Sequence, residues 1–238
     1  MLKTCSGVIA VSDQVRDSLA DQLGVSPGQK ARILVVPNGV RLPAPVTATE
    51  RSRLRASLGV TDEQVLIVGA GRLTRQKNFA RLIEALGRLE PTGADWRCLI
   101  AGDGELRAEL EAQIAAAASG SRIRLMGLHG DIPGLFAAAD VFCLPSLYEG
   151  LPLVLLEAMG AALPTVAFAI AGVTDVVAEG VQARLAAPDD ADALADAIGA
   201  LLVDAPQRRR LGLAARAKVE SHHSFDAVLN RLEQVYRT

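Results

Sequence analysis

From residue 65 onward, short β-branched apolar runs alternate with longer segments of helical periodicity. That rhythm restricts the chain to a parallel sheet with crossover helices. The predicted strands are 65–68, 96–101, 122–126, 141–144 and 165–168, and the predicted helices between them are 78–89, 105–118, 132–138 and 152–159. This is an α/β fold: a doubly wound, Rossmann-like parallel sheet with helices on both faces. After residue 188 the pattern turns purely helical, over 189–203, 206–220 and 224 to about 236. These helices either cap the sheet or cross to another domain. With 238 residues and 50% hydrophobic content, the chain can bury one large domain, or one domain plus a fragment.

The first 43 residues read as a separate piece. They hold a strand at 8–11, a helix opened by the N-cap candidate Ser12, and a strand at 33–36 that ends in Pro37-Asn38-Gly39. One β-α-β unit cannot build its own core, so exposed apolar surface and self-association are expected here. Pro43-Ala44-Pro45 and Thr47-Ala48-Thr49 look like a linker, which places the domain boundary between 43 and 44 and assigns 44–238 to the main domain.

Charge excludes some partners. A formal net charge of −2, with no cluster of Lys and Arg interleaved with aromatics, argues against a nucleic-acid groove, so any bound anion must be held by a few placed residues. Cys5, Cys98 and Cys143 are far apart and each sits in an apolar run, the setting of buried reduced thiols. The opening residues lack the pattern of a secretory signal, and the cytoplasm is the expected compartment, with a peripheral position at the inner membrane face compatible with it. The uncharged stretch 158–174 is interrupted by Pro164 and Gly172 and reads as a buried strand between helices, not a transmembrane segment.

Ligands of an open α/β sheet sit at the carboxyl ends of its strands, so the loops there carry the candidate chemistry. In Gly69-Ala70-Gly71-Arg72-Leu73-Thr74-Arg75-Gln76-Lys77 two glycines permit a tight turn and cations follow at once. Arg72 offers a bidentate fork and Lys77 a point charge, a division of labour suited to neutralising a leaving diphosphate without a metal. The same segment reads equally as a solvated loop before a surface helix.

The second loop runs Pro145-Ser146-Leu147-Tyr148-Glu149-Gly150-Leu151-Pro152-Leu153 and continues into a helix bearing Glu157, with Pro152 expected at the first helical position. Free backbone N–H groups near Gly150, Leu151 and Leu153 would favour an anion beside Glu149. Glu149 and Glu157 suit sugar or ribose hydroxyls; the alternative is that Glu149 caps the helix and Glu157 pairs with an arginine. Ala101-Gly102-Asp103-Gly104-Glu105 and Met126-Gly127-Leu128-His129-Gly130 can border a base or serve as plain turns. His129 stands alone, and His222-His223 have no third ligand at metal spacing and suit a surface helix end; no metal site is expected.

Taken together, these segments resemble family 4 of the retaining glycosyltransferases, which have the two-domain GT-B fold, from about Ser6 to the C-terminus. The signature is Glu149 and Glu157 in an E-x7-E arrangement, joined by Gly71-Arg72-Leu73-x-x-Gln-Lys77, Ala101-Gly102-Asp103-Gly104, Ala139-Asp140-Val141 before Pro145-Ser146, and Pro37-Asn38-Gly39-Val40. The resemblance implies the C-terminal half of a GT-B enzyme that binds a nucleoside-diphosphate sugar, a UDP- or GDP-sugar. It places Gly71, Arg72 and Lys77 at the diphosphate, with Gly150, Leu151 and Leu153 offering backbone N–H groups beside them. Glu149 falls on the sugar hydroxyls, Glu157 on the ribose, and Gly127 and Leu128 beside the base. It further implies transfer of a hexosyl group with retention to a glycan, lipid-linked or small-molecule acceptor, with no cofactor required and with Glu149, Arg72 and Lys77 as the catalytic set.

Departures from the family pattern are also present. The usual Gly-Gly-x-x-Glu reads Ala171-Gly172-Val173-Thr174-Asp175, and the Asn-Gly-Val-Asp hinge ends in Arg41; neither is expected to touch the core donor set, though each could alter sugar choice or domain closure. Family members begin with a complete acceptor domain carrying a glycine-rich loop and a functional histidine, neither of which precedes residue 44. Residues 1–43 then correspond to the end of that domain, and the expectation is a shortened chain, a gene fragment or one subunit of a split enzyme, feebly active by itself. A binding module that pairs with a separate acceptor-domain partner is the alternative. A sugar-nucleotide epimerase would need acids and bases placed for elimination, and none beyond Glu149 is found.

Overall fold

The computed structural model describes residues 7–30, 32–89 and 93–237. It opens with β1 (Val8–Ala10), α1 (Asp13–Leu23), a single-turn α2 (Pro27–Lys30) and β2 (Ile33–Val35). The Ser12 side chain accepts the Val15 N–H at 3.1 Å, so the expected cap opens α1, and Gly24 ends it in the left-handed conformation. β1 and β2 pair in parallel as a sheet of their own, with Val8 opposite Ile33. Among the described residues the core of this piece consists of Ala10, Ala20 and Ile33, while Ile9 and Leu23 are exposed.

Where the sequence reading places a linker at Thr47-Ala48-Thr49, the chain forms α3 (Ala48–Ser57). Thr47 and Glu50 make a reciprocal capping box: the Glu50 N–H donates to Thr47 Oγ1 at 3.2 Å and the Thr47 N–H to Glu50 Oε2 at 2.8 Å. The helix escapes an apolar periodicity search because its inward anchor is a charge. Arg55, 1% exposed, donates to the backbone oxygens of Ala138, Thr61 and Gln64 and to Asp140 Oδ2 at 3.0 Å. Asp140 also accepts the Leu66 N–H at 2.8 Å and Arg51 at 2.7 Å, so α3 is riveted to the sheet by a satisfied buried ion pair.

The main sheet follows as β3 (Val65–Ala70), α4 (Phe79–Gly87), β4 (Trp96–Ala101), α5 (Arg107–Ala116), a 3-10 turn at 120–122, β5 (Ile123–Gly127), α6 (Ile132–Ala138), β6 (Val141–Leu144), α7 (Leu153–Gly160), β7 (Thr165–Phe168) and β8 (Ala183–Ala186). All its pairings are parallel and its order is β5-β4-β3-β6-β7-β8, with helices on both faces. Every residue of β3 is buried, as a central parallel strand covered on both faces requires. The sequence reading has no counterpart of β8: four residues with Arg184 among them carry too little alternation, and pairing with β7 supplies what pattern does not. Pro152 is the N-cap of α7, one position earlier than expected, and α5 starts late because Leu106 turns back to donate its N–H to Leu73 O at 3.0 Å.

The chain closes with α8 (Ala191–Val203), α9 (Ala205–His222) and α10 (Phe225–Arg237), with Asp190 and Asp204 capping the first two. α9 lies on α7 so closely that a Cβ on Gly212 would fall 2.0 Å from Ala162 O. The chain then returns to the Pro37-Asn38-Gly39 segment. The Val40 N–H donates to His223 O at 2.8 Å, and Phe225 and Val228 of α10 cover Gly39. His222 is exposed as expected, whereas His223 is buried at this crossing. Cys98 and Cys143 are free and fully buried, and burial pushes the Cys98 thiol up to about 12; Cys5 lies outside the described residues. No helix among the described residues is long and apolar enough to cross a membrane.

Candidate functional site

The strand order reverses at β3, which has β4 on one side and β6 on the other. A doubly wound sheet opens a crevice at the carboxyl ends of the two strands that flank such a switch point. The loops that leave β3 and β6 are those singled out in the sequence, 71–77 and 145–152.

The first loop is set by backbone packing. Gly71 donates its N–H to Ala101 O at 2.9 Å and Leu73 to Asp103 O at 3.0 Å. A Cβ on Gly102 would lie 1.8 Å from Gly71 O, and one on Gly104 would lie 2.5 Å from Leu73 O. The Gly-Asp-Gly segment is therefore glycine-rich because it buttresses the Gly71 loop. Lys77 folds back over Gly71, where an added Cβ would stand 3.4 Å from its stem.

Lys77 Nζ then meets Glu149 Oε1 at 2.6 Å, with the two side chains 16% and 7% exposed. Neighbouring bonds hold the loops in register: the Leu147 N–H donates to Gln76 O at 2.9 Å, and Gln76 Nε2 to Tyr148 O at 3.0 Å. Glu149 thus pairs with a lysine and does not cap α7. Arg72, next to Gly71 in the chain, is exposed; its carbonyl accepts the Thr74 N–H at 2.9 Å, while its guanidinium makes no hydrogen bond or ion pair among the described residues. The N–H groups of Gly150, Leu151 and Leu153 likewise take no partner among the described residues, so the start of α7 keeps three free donors.

Glu157, one turn into α7, lines a cavity of about 820 Å³ together with Leu153, Arg41, Asp131 and Phe225. It forms no salt bridge among the described residues, against the alternative that an arginine neutralises it, and partial burial pushes its carboxyl above the ordinary range. Gly127 and Leu128 stand two strands from β3, at the end of β5. Leu128 is exposed, and Gly127 joins the rest through Gly102, whose N–H donates to Gly127 O at 2.8 Å. The structure therefore brings Gly71, Lys77, Glu149 and Gly150 together, sets Arg72 beside them and Leu153 with Glu157 around the cavity, and leaves Gly127 and Leu128 at the far margin.

Two expectations need correction. Gly172 does touch the set: with φ 80°, it lies so near the second loop that a Cβ would be 2.3 Å from Gly150 O and 2.6 Å from Glu149 O. Arg41 lines the same cavity as Glu157. The loop after β7 packs against the loop after β6, and the hinge contributes a wall of the cavity that Glu157 lines. Asn78 and Asp189 hold positive φ angles that the sequence does not reveal, because a non-glycine residue in a loop carries no signal of its backbone conformation.

Residues 50–218 match the model of the family "Glycosyl transferases group 1". The chain belongs to that family. It is 28% identical over 99% of its length to an alpha-D-kanosaminyltransferase of Streptomyces kanamyceticus, and 32% identical over 99% to an alpha-maltose-1-phosphate synthase of Mycolicibacterium smegmatis. It spans 61% and 64% of those two proteins. The crystal structure of HepE from Anabaena in complex with UDP superposes with a TM-score of 0.90 at 25% identity, over 99% of this chain and 64% of that one; HepE has also been solved with UDP and glucose. As a group 1 glycosyltransferase chain with the GT-B domain of its neighbours, the protein has the fold that the resemblance implies.

Proposed function

We propose that this chain forms the donor half of a retaining glycosyltransferase and binds a nucleoside-diphosphate sugar at the β3/β6 crevice. The observation that carries the reading is the Lys77–Glu149 pair over Gly71, with an uncommitted Arg72 beside it. A diphosphate entering there meets two cations, a rigid one and a mobile one, together with the free N–H groups of the α7 start. Lys77 then turns from Glu149 to phosphate, and Glu149 is released to accept hydroxyls of the sugar. Glu157 suits the ribose and the backbone at Gly127 and Leu128 the base. The complexes of HepE with UDP and with UDP and glucose support this choice of ligand class.

In the reaction, the bond from the anomeric carbon to the diphosphate breaks, the acceptor hydroxyl oxygen bonds to the same face, and its proton passes to the departing phosphate. Arg72 and Lys77 supply the positive charge that the leaving group needs, without a metal in the proposed scheme. The transferred group is a hexosyl and the acceptor a glycan, a lipid-linked sugar or a small molecule.

Turnover also requires an acceptor-side unit, to which residues 1–43 belong in this reading, with the boundary at 43/44. That part rests on the small β1–β2 sheet and α1, whose shared cluster of Ala10, Ala20 and Ile33 is too small for an independent core. The activities of the longer relatives enter only through this proposal.

Calorimetric titration with UDP, GDP and ADP tests the reading. Binding of one of them, lost in Arg72→Ala plus Lys77→Ala and unchanged by a chelator, is the expected result. A folded protein that binds none of the three overturns it.

A further inference from the structure

Asn78 and Asp189 both adopt a left-handed backbone conformation, with φ 52° and 58°, which glycine takes freely and other residues at a cost. They are bonded to each other. Asn78 Nδ2 donates to Asp189 Oδ1 at 3.1 Å, and the same oxygen accepts Arg81 Nε at 2.8 Å. Neither side chain serves its own helix: Asn78 heads α4 without capping it, and Asp190 caps α8. Two costly backbone positions thus form a clasp between the β3 loop and the β8 loop, at the carboxyl edge of the sheet where ligands of this architecture bind.

Asn78 directly follows Lys77, and the N–H groups of both donate to Thr74 O, at 3.1 and 3.2 Å. The direction in which Lys77 leaves the loop toward Glu149 is therefore fixed from within by Thr74 and from outside by Asp189. We propose that Asp189 is a positioning residue of the crevice, which clasps Asn78 and so aims the Lys77 ammonium. What Lys77 binds rests on the function proposed above; the clasp itself does not.

Asp189→Gly is the informative variant. Glycine suits the left-handed backbone at this position, and the exposed Arg81 pair it removes contributes little, so the fold is retained. If the carboxylate only stabilises the loop, UDP affinity stays at the wild-type level. If it aims Lys77, UDP binding weakens on the order of fivefold, within the range of coupling between networked neighbours. Asp189→Asn, which keeps an acceptor oxygen for Asn78, restores most of the affinity, and the loss disappears when Lys77→Ala is already present. An unchanged affinity in Asp189→Gly, or the same loss with and without Lys77, overturns the proposal.

A second arm needs no nucleotide. The 15N resonance of Lys77 Nζ in the free protein is expected to shift in Asp189→Gly and to return in Asp189→Asn. A shift without any UDP binding by the wild type leaves the clasp standing and removes the donor reading, whereas a resonance unmoved by Asp189→Gly removes the clasp.

Discussion

Lys77 Nζ lies 2.6 Å from Glu149 Oε1, joining the loop after β3 to the loop after β6 across 72 residues of sequence. The pair is enclosed enough that removing one partner leaves the other charge without compensation, whereas removing both leaves two neutral groups. It is a structural tie across the crevice, and under the proposed function it is the contact that a diphosphate would exchange.

Lys77→Met is therefore expected to destabilise the fold by about 3 kcal/mol at neutral pH, the scale for breaking a buried pair. Lys77→Met with Glu149→Leu recovers most of that loss. Urea unfolding of the two variants measures the difference. Equal destabilisation in both would mean that the pair contributes through packing rather than through charge.

Much of the fold is legible in the sequence, and the rest is hidden for physical reasons. The alternation that predicts the parallel sheet holds at the five predicted strands, because a strand buried on both faces must be apolar throughout. α3 escaped because its anchor is the buried Arg55, a residue that periodicity counts as polar. β8 escaped because its place comes from pairing with β7. At the site, residue types marked Lys77 and Glu149 separately, but their contact depends on β3 and β6 being neighbours, which no local pattern records. Gly172 was legible only as a glycine; its closeness to the carbonyls of Glu149 and Gly150 is a tertiary fact.

That closeness gives a second prediction. Gly172→Ala forces a side chain into a left-handed position and against the Glu149 and Gly150 carbonyls, so the second loop must move. A cost of about 1–3 kcal/mol is expected from the backbone strain, together with weaker UDP binding, read by calorimetry on the folded variant. Wild-type affinity in Gly172→Ala would show that the loop yields without disturbing Glu149.

Glu157 sets stability against binding. Desolvation raises its carboxyl above the ordinary 4.5, so in the fold it resists ionising. Its favourable contribution is complete below the unfolded value and is lost as pH rises through the folded one. Glu157→Gln should therefore melt at or above the wild-type temperature at pH 7, with the difference vanishing below pH 4, and under the proposed ribose role it should also bind UDP more weakly. A melting difference that persists or grows on acidification would contradict the assignment of desolvation as the cause.

His223 acts in the opposite sense. It is buried where the α9–α10 connection crosses the hinge, with Nδ1 3.4 Å from Asn38 O, while its own carbonyl accepts the Val40 N–H. Desolvation, reinforced by the nearby cationic Lys218 and by His222, lowers its pKa below the ordinary 6.5 despite the Asn38 contact. A histidine depressed in this way stabilises the fold above the unfolded value and ceases to do so as pH falls through the folded one. The crossing should therefore loosen as pH falls below the ordinary histidine value of 6.5 and through the depressed one, with faster hydrogen exchange at the Val40 amide and along α10 while β3 stays protected. His223→Phe, which keeps a ring of similar size and removes the titration, is expected to abolish the acid sensitivity. If Val40 exchange in that variant still accelerates between pH 7 and pH 5 beyond the intrinsic change, the acid response belongs to another group.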